Sequence, residues 1–254
     1  MNRIKIVVIG GAGLIGSNVV SRLRQKGHEV VAASTKTGVN TVTGEGLIDV
    51  LAGARVVIDV AGSPSFEERA ALEVFTASGR NLLSAEASAG VRHHIALSVV
   101  GADRLPQSGH CRAKLIQEDL IKAAAIPYTI LRSTQFFEFA GDIAQSASNG
   151  QVVRLPVGPI QPVSSDDVSA LLTRIAGIAP TRMTIEIGGP ELMALDVFVR
   201  RFLESKGDRK PVVGDPHAPY FGATLDDGAL LPGRNPYVGS VRFGEWLSRA
   251  RAAA

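Results

Sequence analysis

The stretch IVVIGGAGLIGSNVV, residues 6–20, decides the fold of this chain. It begins inside the apolar run Ile4–Ile9, and continuous apolarity predicts a strand that is buried on both faces. Gly10, Gly13 and Gly16 follow at a spacing of three, and a helical pattern runs through Ser17–Lys26. Glycines between a buried strand and a helix allow a tight turn and a close backbone approach to a diphosphate. The stretch therefore predicts a dinucleotide-binding strand–turn–helix unit.

The helix that follows the glycines supplies the predicted contacts to the diphosphate. Free backbone N–H groups and the helix dipole favour negative charge at a helix N-terminus. We therefore expect the coenzyme contacts to lie at Gly10, Gly13, Leu14, Ile15 and Gly16. The alternative is a glycine-rich turn that binds no ligand.

Apolar runs alternate with helical patterns through the first half of the chain. This alternation predicts a parallel sheet covered by helices on both sides, a Rossmann-type doubly wound α/β fold. Residues 1–135 would form the NAD(P)-binding core, and residues 136–254 would add the last strands and a small C-terminal substrate lobe within a single structural domain. The predicted strands after the first are Val30–Ala33, Val56–Val60, Ile95–Val100 and Tyr128–Leu131.

Composition excludes several classes of protein. Hydrophobic residues make up 45% and charged residues 20%, and the formal net charge is only +3, so no nucleic-acid partner is expected. The single cysteine, Cys111, excludes an internal disulfide and a multi-cysteine metal site, and no metal is expected. No stretch has the length and apolarity of a membrane helix. These features predict a cytoplasmic protein with no membrane contact, and they leave the oligomeric state open.

The end of the second strand bears on the choice of coenzyme. An acidic residue at this place usually binds the ribose 2′-hydroxyl of NAD, but no carboxylate occurs between Val30 and Thr43. Ser34, Thr35 and Lys36 instead offer hydroxyls and a cation, which suit a 2′-phosphate. We therefore expect NADP(H) rather than NAD(H), with Lys36 as a plain surface lysine being the alternative.

Three further strand ends carry small or polar residues, and in one of them the stretch Arg132-Ser133-Thr134-Gln135 follows the strand. Ligands of open α/β sheets bind outside the carboxyl ends of the strands. Ala61, Gly62 and Ser63 follow one strand and would let a coenzyme lie against the backbone. Ser98 ends another, and it precedes by twelve residues His110, which lies one helical turn before Lys114.

With these motifs, the chain resembles the atypical, NmrA-like branch of the short-chain dehydrogenase/reductase superfamily. The stretches ALSVVGADRLP, RAKLIQEDLI, LRSTQFFEF, IGGPE and DPHAPYFGA are similar to those of that branch. The resemblance implies that Lys114 binds the nicotinamide ribose and that Ser98 binds a substrate carbonyl or positions the coenzyme. It also implies a proton-donating tyrosine four residues before the lysine, but this chain has His110 there.

An imidazole beside an ammonium should be mostly neutral near pH 7, because the neighbouring cation disfavours its charged form. His110 is therefore a poorer proton donor than the tyrosine of the family. It either acts directly in catalysis or is a polar residue at the helix start that shapes the pocket.

The sequence leaves open two main functions. One is an NADPH-dependent oxidoreductase acting on a small carbonyl or a quinone, with Ser98, His110 and Lys114 in its active site. The other is a non-catalytic NADP(H) sensor that binds a partner protein, which the missing tyrosine favours. An epimerase-like or dehydratase-like activity is a third reading. Phe136, Phe137 and Phe139 would either wall an apolar substrate pocket or pack in the core.

Overall fold

The computed structural model describes residues 3–62, 68–226 and 228–252, without the side chains of Glu68 and Arg251. A seven-stranded sheet with flanking helices confirms the predicted α/β fold. The strands of this sheet are β1 (Lys5–Ile9), β2 (Glu29–Ala33), β3 (Val56–Asp59), β4 (His93–Val99), β5 (Tyr128–Ser133), β8 (Thr184–Gly188) and β11 (Tyr237–Val238).

Short strands outside this sheet form two small pairs. They are β6 (Val153–Leu155) with β10 (Val212–Gly214), which are parallel, and β7 (Pro159–Ile160) with β9 (Met193–Ala194), which are antiparallel.

The helices match the sequence pattern to within a few residues, except near the glycines. They are α1 (Leu14–Gln25), α2 (Leu47–Leu51), α3 (Glu68–Ala89), α4 (Gly109–Ala123), α5 (Ala140–Ser146), α6 (Ser165–Ile175), α7 (Leu195–Ser205) and α8 (Phe243–Ala252).

The order of the strands locates the switch point of the sheet. The order is β2-β1-β3-β4-β5-β8-β11, and β1 pairs in parallel with β2 on one side and β3 on the other. The chain therefore leaves β1 toward one edge and returns to build the sheet toward the other. In such sheets the ligand binds in the crevice beside the switch point, which here is the β1/β3 boundary.

The strand β2 lies at the edge of the sheet, where a Rossmann sheet of the common order has one more strand. Turns lead from β2 to α2, and Val39, Leu47 and Leu51 pack with Val7 in one buried cluster. Side chains also satisfy outward carbonyls of the edge strand: Arg24 Nη2 donates to Val30 O, and Thr37 Oγ1 to Ala32 O. The edge is thereby partly closed to pairing with another strand.

The helix α1 begins at Leu14, three residues earlier than the sequence pattern predicts. The prediction was wrong because Gly16 reads as part of the turn, whereas it lies in the first turn of the helix. A Cβ at Gly16 would collide with Gly10 O, so the close approach of helix and loop requires glycine there.

The sequence predicts that Ser165, Asp166 and Asp167 cap a helix that follows them, but α6 already begins at Ser165 and its cap lies one residue earlier. Ser164 Oγ accepts a hydrogen bond from Asp167 N at 3.1 Å and donates to the Asp167 carboxylate at 2.9 Å. Ser164 is therefore the capping residue, in a variant of the capping box with aspartate at the third helical position.

The chain divides into two compact units. The first comprises residues 1–98, 109–132 and 168–185, and the second comprises residues 99–108, 133–167 and 186–254. Aromatic packing organises the second unit: Phe137 is 1% exposed, and its ring centroid lies 5.1 Å from that of Phe243 and 5.7 Å from that of Trp246. Phe139 stacks on Phe221 at 5.8 Å. Of the two readings of the phenylalanine cluster, core packing holds for Phe137.

In the described part of the chain, no helix combines the length and apolarity that crossing a bilayer requires. The same residues contain no group of three or more His, Cys, Asp or Glu side chains arranged to hold a metal ion. Cys111 is buried, as expected of a packed thiol.

Candidate coenzyme site and its buried polar network

The glycine turn after β1 and the loop after β3 meet at the switch point. Gly10 has a φ of +78°, which favours glycine, and a Cβ there would lie only 2.9 Å from Ala61 N. Gly10 N and Gly11 N also donate to Ala33 O, at 3.0 and 3.2 Å, which fixes the turn to the end of β2. Three strand ends thus enclose the start of α1.

The start of α1 is open to a ligand. Gly13 is the N-cap of α1 and has an extended backbone. Because glycine has no side chain, no side-chain hydrogen bond caps the start of the helix. The N–H groups of Leu14, Ile15 and Gly16 lie in the first turn, where no helix carbonyl precedes them. Residues 12–14 are exposed, with Leu14 at 49%. N–H groups at a helix start, next to a turn that leaves no room for a Cβ, are suited to binding the diphosphate of a dinucleotide.

Ser34, Thr35 and Lys36 lie where β2 ends. Residues 35–37 form a single 3₁₀ turn, which Thr37 secures by accepting a hydrogen bond from Ser34 N at 2.9 Å. Thr35 and Lys36 are exposed. The structure thus places a cation and a hydroxyl at the carboxyl end of the strand beside β1, the position from which a 2′-phosphate could be bound.

The loop after β3 is shaped by Asp59. Its Oδ1 accepts a hydrogen bond from Ala61 N at 3.0 Å, and the side chain is 7% exposed. Ala61 and the exposed Gly62 follow directly, whereas Ser63 lies outside the described residues. The carboxylate therefore holds the backbone where a coenzyme would lie against it.

Lys114 is buried in the first unit and is 7% exposed. Its Nζ donates to Leu97 O at 2.9 Å and to Gln117 Oε1 at 3.0 Å, and it lies 4.4 Å from the centroid of the Phe75 ring. Burial lowers the pKa of Lys114 to about 8, although Asp59 and Glu118 favour its charged form. These two hydrogen bonds use two of the three N–H donors of the ammonium.

Gln117 joins Lys114 to the loop after β3. Its Nε2 donates to Asp59 Oδ2 at 2.8 Å, while its Oε1 accepts from Lys114. An amide can bridge a cation and an anion in this way because one end accepts and the other donates. The predicted ribose-binding lysine and the predicted coenzyme-binding loop are therefore coupled through one buried side chain.

Ser98 belongs to a second part of the same network. Its Oγ donates to Glu118 Oε1 at 2.7 Å, and Arg132 donates to both oxygens of that carboxylate, at 2.7 and 2.9 Å. Lys122 Nζ also donates to Glu118, at 3.0 Å. Burial raises the pKa of Glu118, but the hydrogen bonds from Arg132 and Ser98 outweigh it, so the pKa lies below its usual value.

His110 lies in the first turn of α4, and its ring meets the edge of the Phe75 ring with centroids 6.4 Å apart. Burial first, and the charge of Lys114 second, lower the pKa of His110 to about 4. The imidazole is therefore neutral at pH 7, in the direction that the sequence predicts.

The structure thus brings together Lys114 and the end of the strand that carries Ser98, and it places His110 beside the same phenylalanine as Lys114. The sequence analysis placed Asp59 and Arg132 at informative strand ends without giving their side chains a role, and it missed Gln117 and Glu118. A signal was present for two of these four residues: Asp59 ends a buried apolar strand, and Glu118 follows Lys114 at helical spacing. Acidic side chains that are buried in a core need polar partners, because burying an unpaired charge is costly.

A sequence profile of the NAD(P)H-binding family matches residues 10–176, which include every residue of this network. The chain belongs to that family. The match begins at the glycine turn and extends through α6.

One curated relative is the photosystem II assembly factor Ycf39 of Cyanophora paradoxa, which is 25% identical over 147 residues. The match covers 52% of this chain and 46% of the relative. The chain therefore aligns with about half of that protein's length.

Solved structures support the fold. The UDP-glucose 4-epimerase of Thermus thermophilus, in complex with NAD, has a TM-score of 0.75 at 19% identity, with 99% of this chain and 100% of that chain covered. The dTDP-4-dehydrorhamnose reductase of Bacillus anthracis, in complex with NADP, has a TM-score of 0.72 at 13% identity, with 97% and 98% covered. A short-chain dehydrogenase/reductase superfamily protein from Agrobacterium tumefaciens, with bound NAD, has a TM-score of 0.69 at 18% identity, with 98% and 96% covered. These likenesses confirm the predicted Rossmann-type fold.

Proposed function

We propose that this protein is an NADPH-dependent reductase whose acceptor needs no acidic side chain from the protein, and that the acceptor is a quinone. The observation that carries the proposal is the packing of His110 against Phe75, four residues before Lys114, where the resemblance implies a proton-donating tyrosine. Burial and the charge of Lys114 lower the pKa of this histidine to about 4, which favours its neutral form at pH 7. Bound NADPH would supply the hydride. The glycine turn, the Asp59 loop and Lys36 would hold and orient it.

The acceptor class follows from the proton that carbonyl reduction requires. Reduction of a simple aldehyde or ketone leaves an alkoxide, a strong base that must be protonated as it forms. Reduction of a quinone leaves a phenolate, whose conjugate acid has a pKa of about 10 like the tyrosine phenol. Water can protonate that anion later. A neutral imidazole at residue 110 is therefore compatible with the reduction of a quinone, but it is a poor proton donor for the reduction of a simple aldehyde or ketone.

A panel of acceptors tests this directly. NADPH oxidation is followed at the nicotinamide absorbance band with quinones and with aldehydes, for the wild type and for His110→Tyr. We expect wild-type turnover with quinones and little with aldehydes, and a gain of about 100-fold in aldehyde reduction for the variant, the usual size of a general-acid contribution. Turnover of aldehydes by the wild type at the quinone rate would contradict the proposal.

The preference for NADPH is a separate proposal, supported by Lys36 at the end of β2. Lys36→Ala should raise the dissociation constant of NADPH about tenfold and leave that of NADH within about twofold, because only NADPH carries the 2′-phosphate. Calorimetric titration with both coenzymes measures the effect. The matched control is Lys26→Ala, which removes an exposed lysine at the C-terminal end of α1, away from the glycine turn. Equal losses for the two coenzymes in Lys36→Ala would refute this preference.

A second candidate is a coenzyme sensor that binds a partner protein. It is favoured by the hydrogen bonds that occupy Ser98 and Lys114 inside the network, and by the name of the curated relative, an assembly factor. Tight NADPH binding with no turnover on any acceptor of the panel would favour this function over the reductase.

A further inference from the structure

A groove of about 470 Å³ lies in the first unit where the strands begin. Ile4, Val56 and Ile178 contribute apolar surface to it, and Arg55, Arg92 and His28 contribute polar groups. Its volume is within the range of sites that bind small molecules. Because β1 has five residues and a strand rises about 3.3 Å per residue, the strand starts at this groove are roughly 16 Å from the glycine turn at the end of β1.

Two arginines lie directly opposite each other at the mouth of the groove. Val56 pairs with His93 in the register of β3 and β4, which places Arg55 across from Arg92, and Arg92 N donates to Arg55 O at 3.0 Å. Both side chains are exposed. Among the described residues, neither guanidinium has an acidic partner within ion-pair distance. Like charges opposite each other on neighbouring strands destabilise a sheet, so an anion between them would relieve the repulsion.

The surrounding segments strengthen this positive charge. Segments 3–5, 26–29, 52–56, 90–93 and 174–182, which border the groove or the strand starts beside it, contain seven Lys and Arg residues and one acidic residue, Glu29. Glu29 is itself paired with Arg3, at 4.0 Å. The whole chain carries a net charge of only +3, so much of its excess is concentrated at this edge. Such a field attracts anions to the groove.

The interior of the groove offers a further polar group. His28 lines it, and its Nδ1 is buried with no hydrogen-bond partner among the described residues. A buried ring nitrogen without a partner is costly unless a ligand or water satisfies it. His93 also lines the groove, but burial first and His94 second lower the pKa of His93 to about 4, so it adds no charge at pH 7.

We propose that this groove binds a phosphate monoester, with the phosphate between Arg55 and Arg92 and the organic group against the apolar surface. Guanidinium groups bind phosphate through paired N–H donors, and two of them match the two charges of a monoester. The apolar lining accounts for an organic group, which a free phosphate lacks. This site is separate from the coenzyme site and does not depend on the proposed reductase activity.

Calorimetric titration at constant ionic strength tests the proposal, with phenyl phosphate, inorganic phosphate, benzoate and phenol as probes. We expect saturable binding of phenyl phosphate with a submillimolar dissociation constant. Inorganic phosphate and benzoate should each bind about tenfold more weakly, and phenol should give no heat. The double variant Arg55→Gln/Arg92→Gln should weaken phenyl phosphate at least tenfold. The control Arg80→Gln/Arg154→Gln, which removes two exposed arginines elsewhere, should bind as the wild type does.

Thermal unfolding without ligand shows whether the double variant is folded, and its midpoint should equal or exceed that of the wild type because the repulsion is gone. No heat with phenyl phosphate, equal affinity in the double variant, or benzoate binding as tightly as phenyl phosphate would each overturn the proposal. NADH, which has a diphosphate but no phosphate monoester, should bind the wild type and the double variant with the same affinity, which keeps this result distinct from the coenzyme tests.

Discussion

Individual side chains of the network show how a residue that looks catalytic can also hold the fold. The resemblance predicts that the charge of Lys114 lies beside the nicotinamide, yet its ammonium binds a carbonyl of β4 and the amide of Gln117. A buried ammonium must have such partners, because desolvation disfavours its charged form. Its position is therefore fixed by the polar groups around it before any ligand binds.

Gln117 is the residue on which this arrangement depends. Gln117→Leu keeps the side-chain size but removes one hydrogen bond from the buried Asp59 and one from the buried Lys114. We expect the free energy of unfolding to fall by about 3 kcal/mol, since each charged group loses a partner that water cannot replace. Urea unfolding at pH 7 measures this loss. Gln25→Leu, at an exposed position of α1, should cost less than about 0.5 kcal/mol. Equal stability of Gln117→Leu and the wild type would show that the bridge contributes nothing.

At the scale of elements, the strand β4 combines two buried histidines with opposite shifts. Burial first, and His94 second, lower the pKa of His93 to about 4, and its Nε2 bonds Thr129 Oγ1 at 2.9 Å. Burial also lowers the pKa of His94, but the carboxylate of Glu86 and, more weakly, Asp59 outweigh it, so the pKa of His94 lies above its usual value. Its Nδ1 lies 2.8 Å from Glu86 Oε1.

These shifts predict how stability depends on pH. His93 is neutral in the folded state, so its contribution is full above pH 6.5 and is lost as the pH falls toward 4. The contribution of His110 to stability depends on pH in the same direction. The contribution of His94 is instead full at low pH and is lost as the pH rises through its raised pKa.

His93→Gln should therefore reduce the acid sensitivity of the protein. Between pH 7 and pH 5 the wild type should lose roughly 2 kcal/mol more unfolding free energy than the variant, because glutamine does not titrate. Urea unfolding at both values of pH gives the difference. His217→Gln, which replaces an exposed histidine, should follow the wild-type pH dependence. If His93→Gln follows it as well, His93 is not the group responsible.

At the scale of the whole molecule, the carboxyl ends and the amino ends of the parallel strands carry different chemistry. The carboxyl ends of β1, β2 and β3 bear the glycine turn, Lys36 and the Asp59 loop, where the coenzyme is predicted to bind. The amino ends of β3 and β4 bear the arginine pair. Parallel strands make this separation possible, because every strand end of one kind lies along one edge.

How far the sequence predicts the molecule can be judged from particular residues. The buried strand and the glycine spacing of residues 6–20 predicted the fold and the coenzyme family, and both are confirmed. The start of α1 and the cap of α6 were misplaced by a few residues, since glycine and serine occur both in turns and at helix ends. The roles of Ser98, His110, Lys114 and Lys36 stay predictions.

The sequence by itself determined the features that depend on local pattern: the strand–turn–helix unit, the alternation of elements and the replacement of tyrosine by His110. Only the tertiary structure decided that Asp59, Gln117 and Lys114 form one bridge, that Ser98 donates to Glu118, and that Arg55 lies opposite Arg92. Asp59 and Gln117 are 58 residues apart in the chain. Such pairings depend on strand order and register, which packing fixes and which no local spacing encodes.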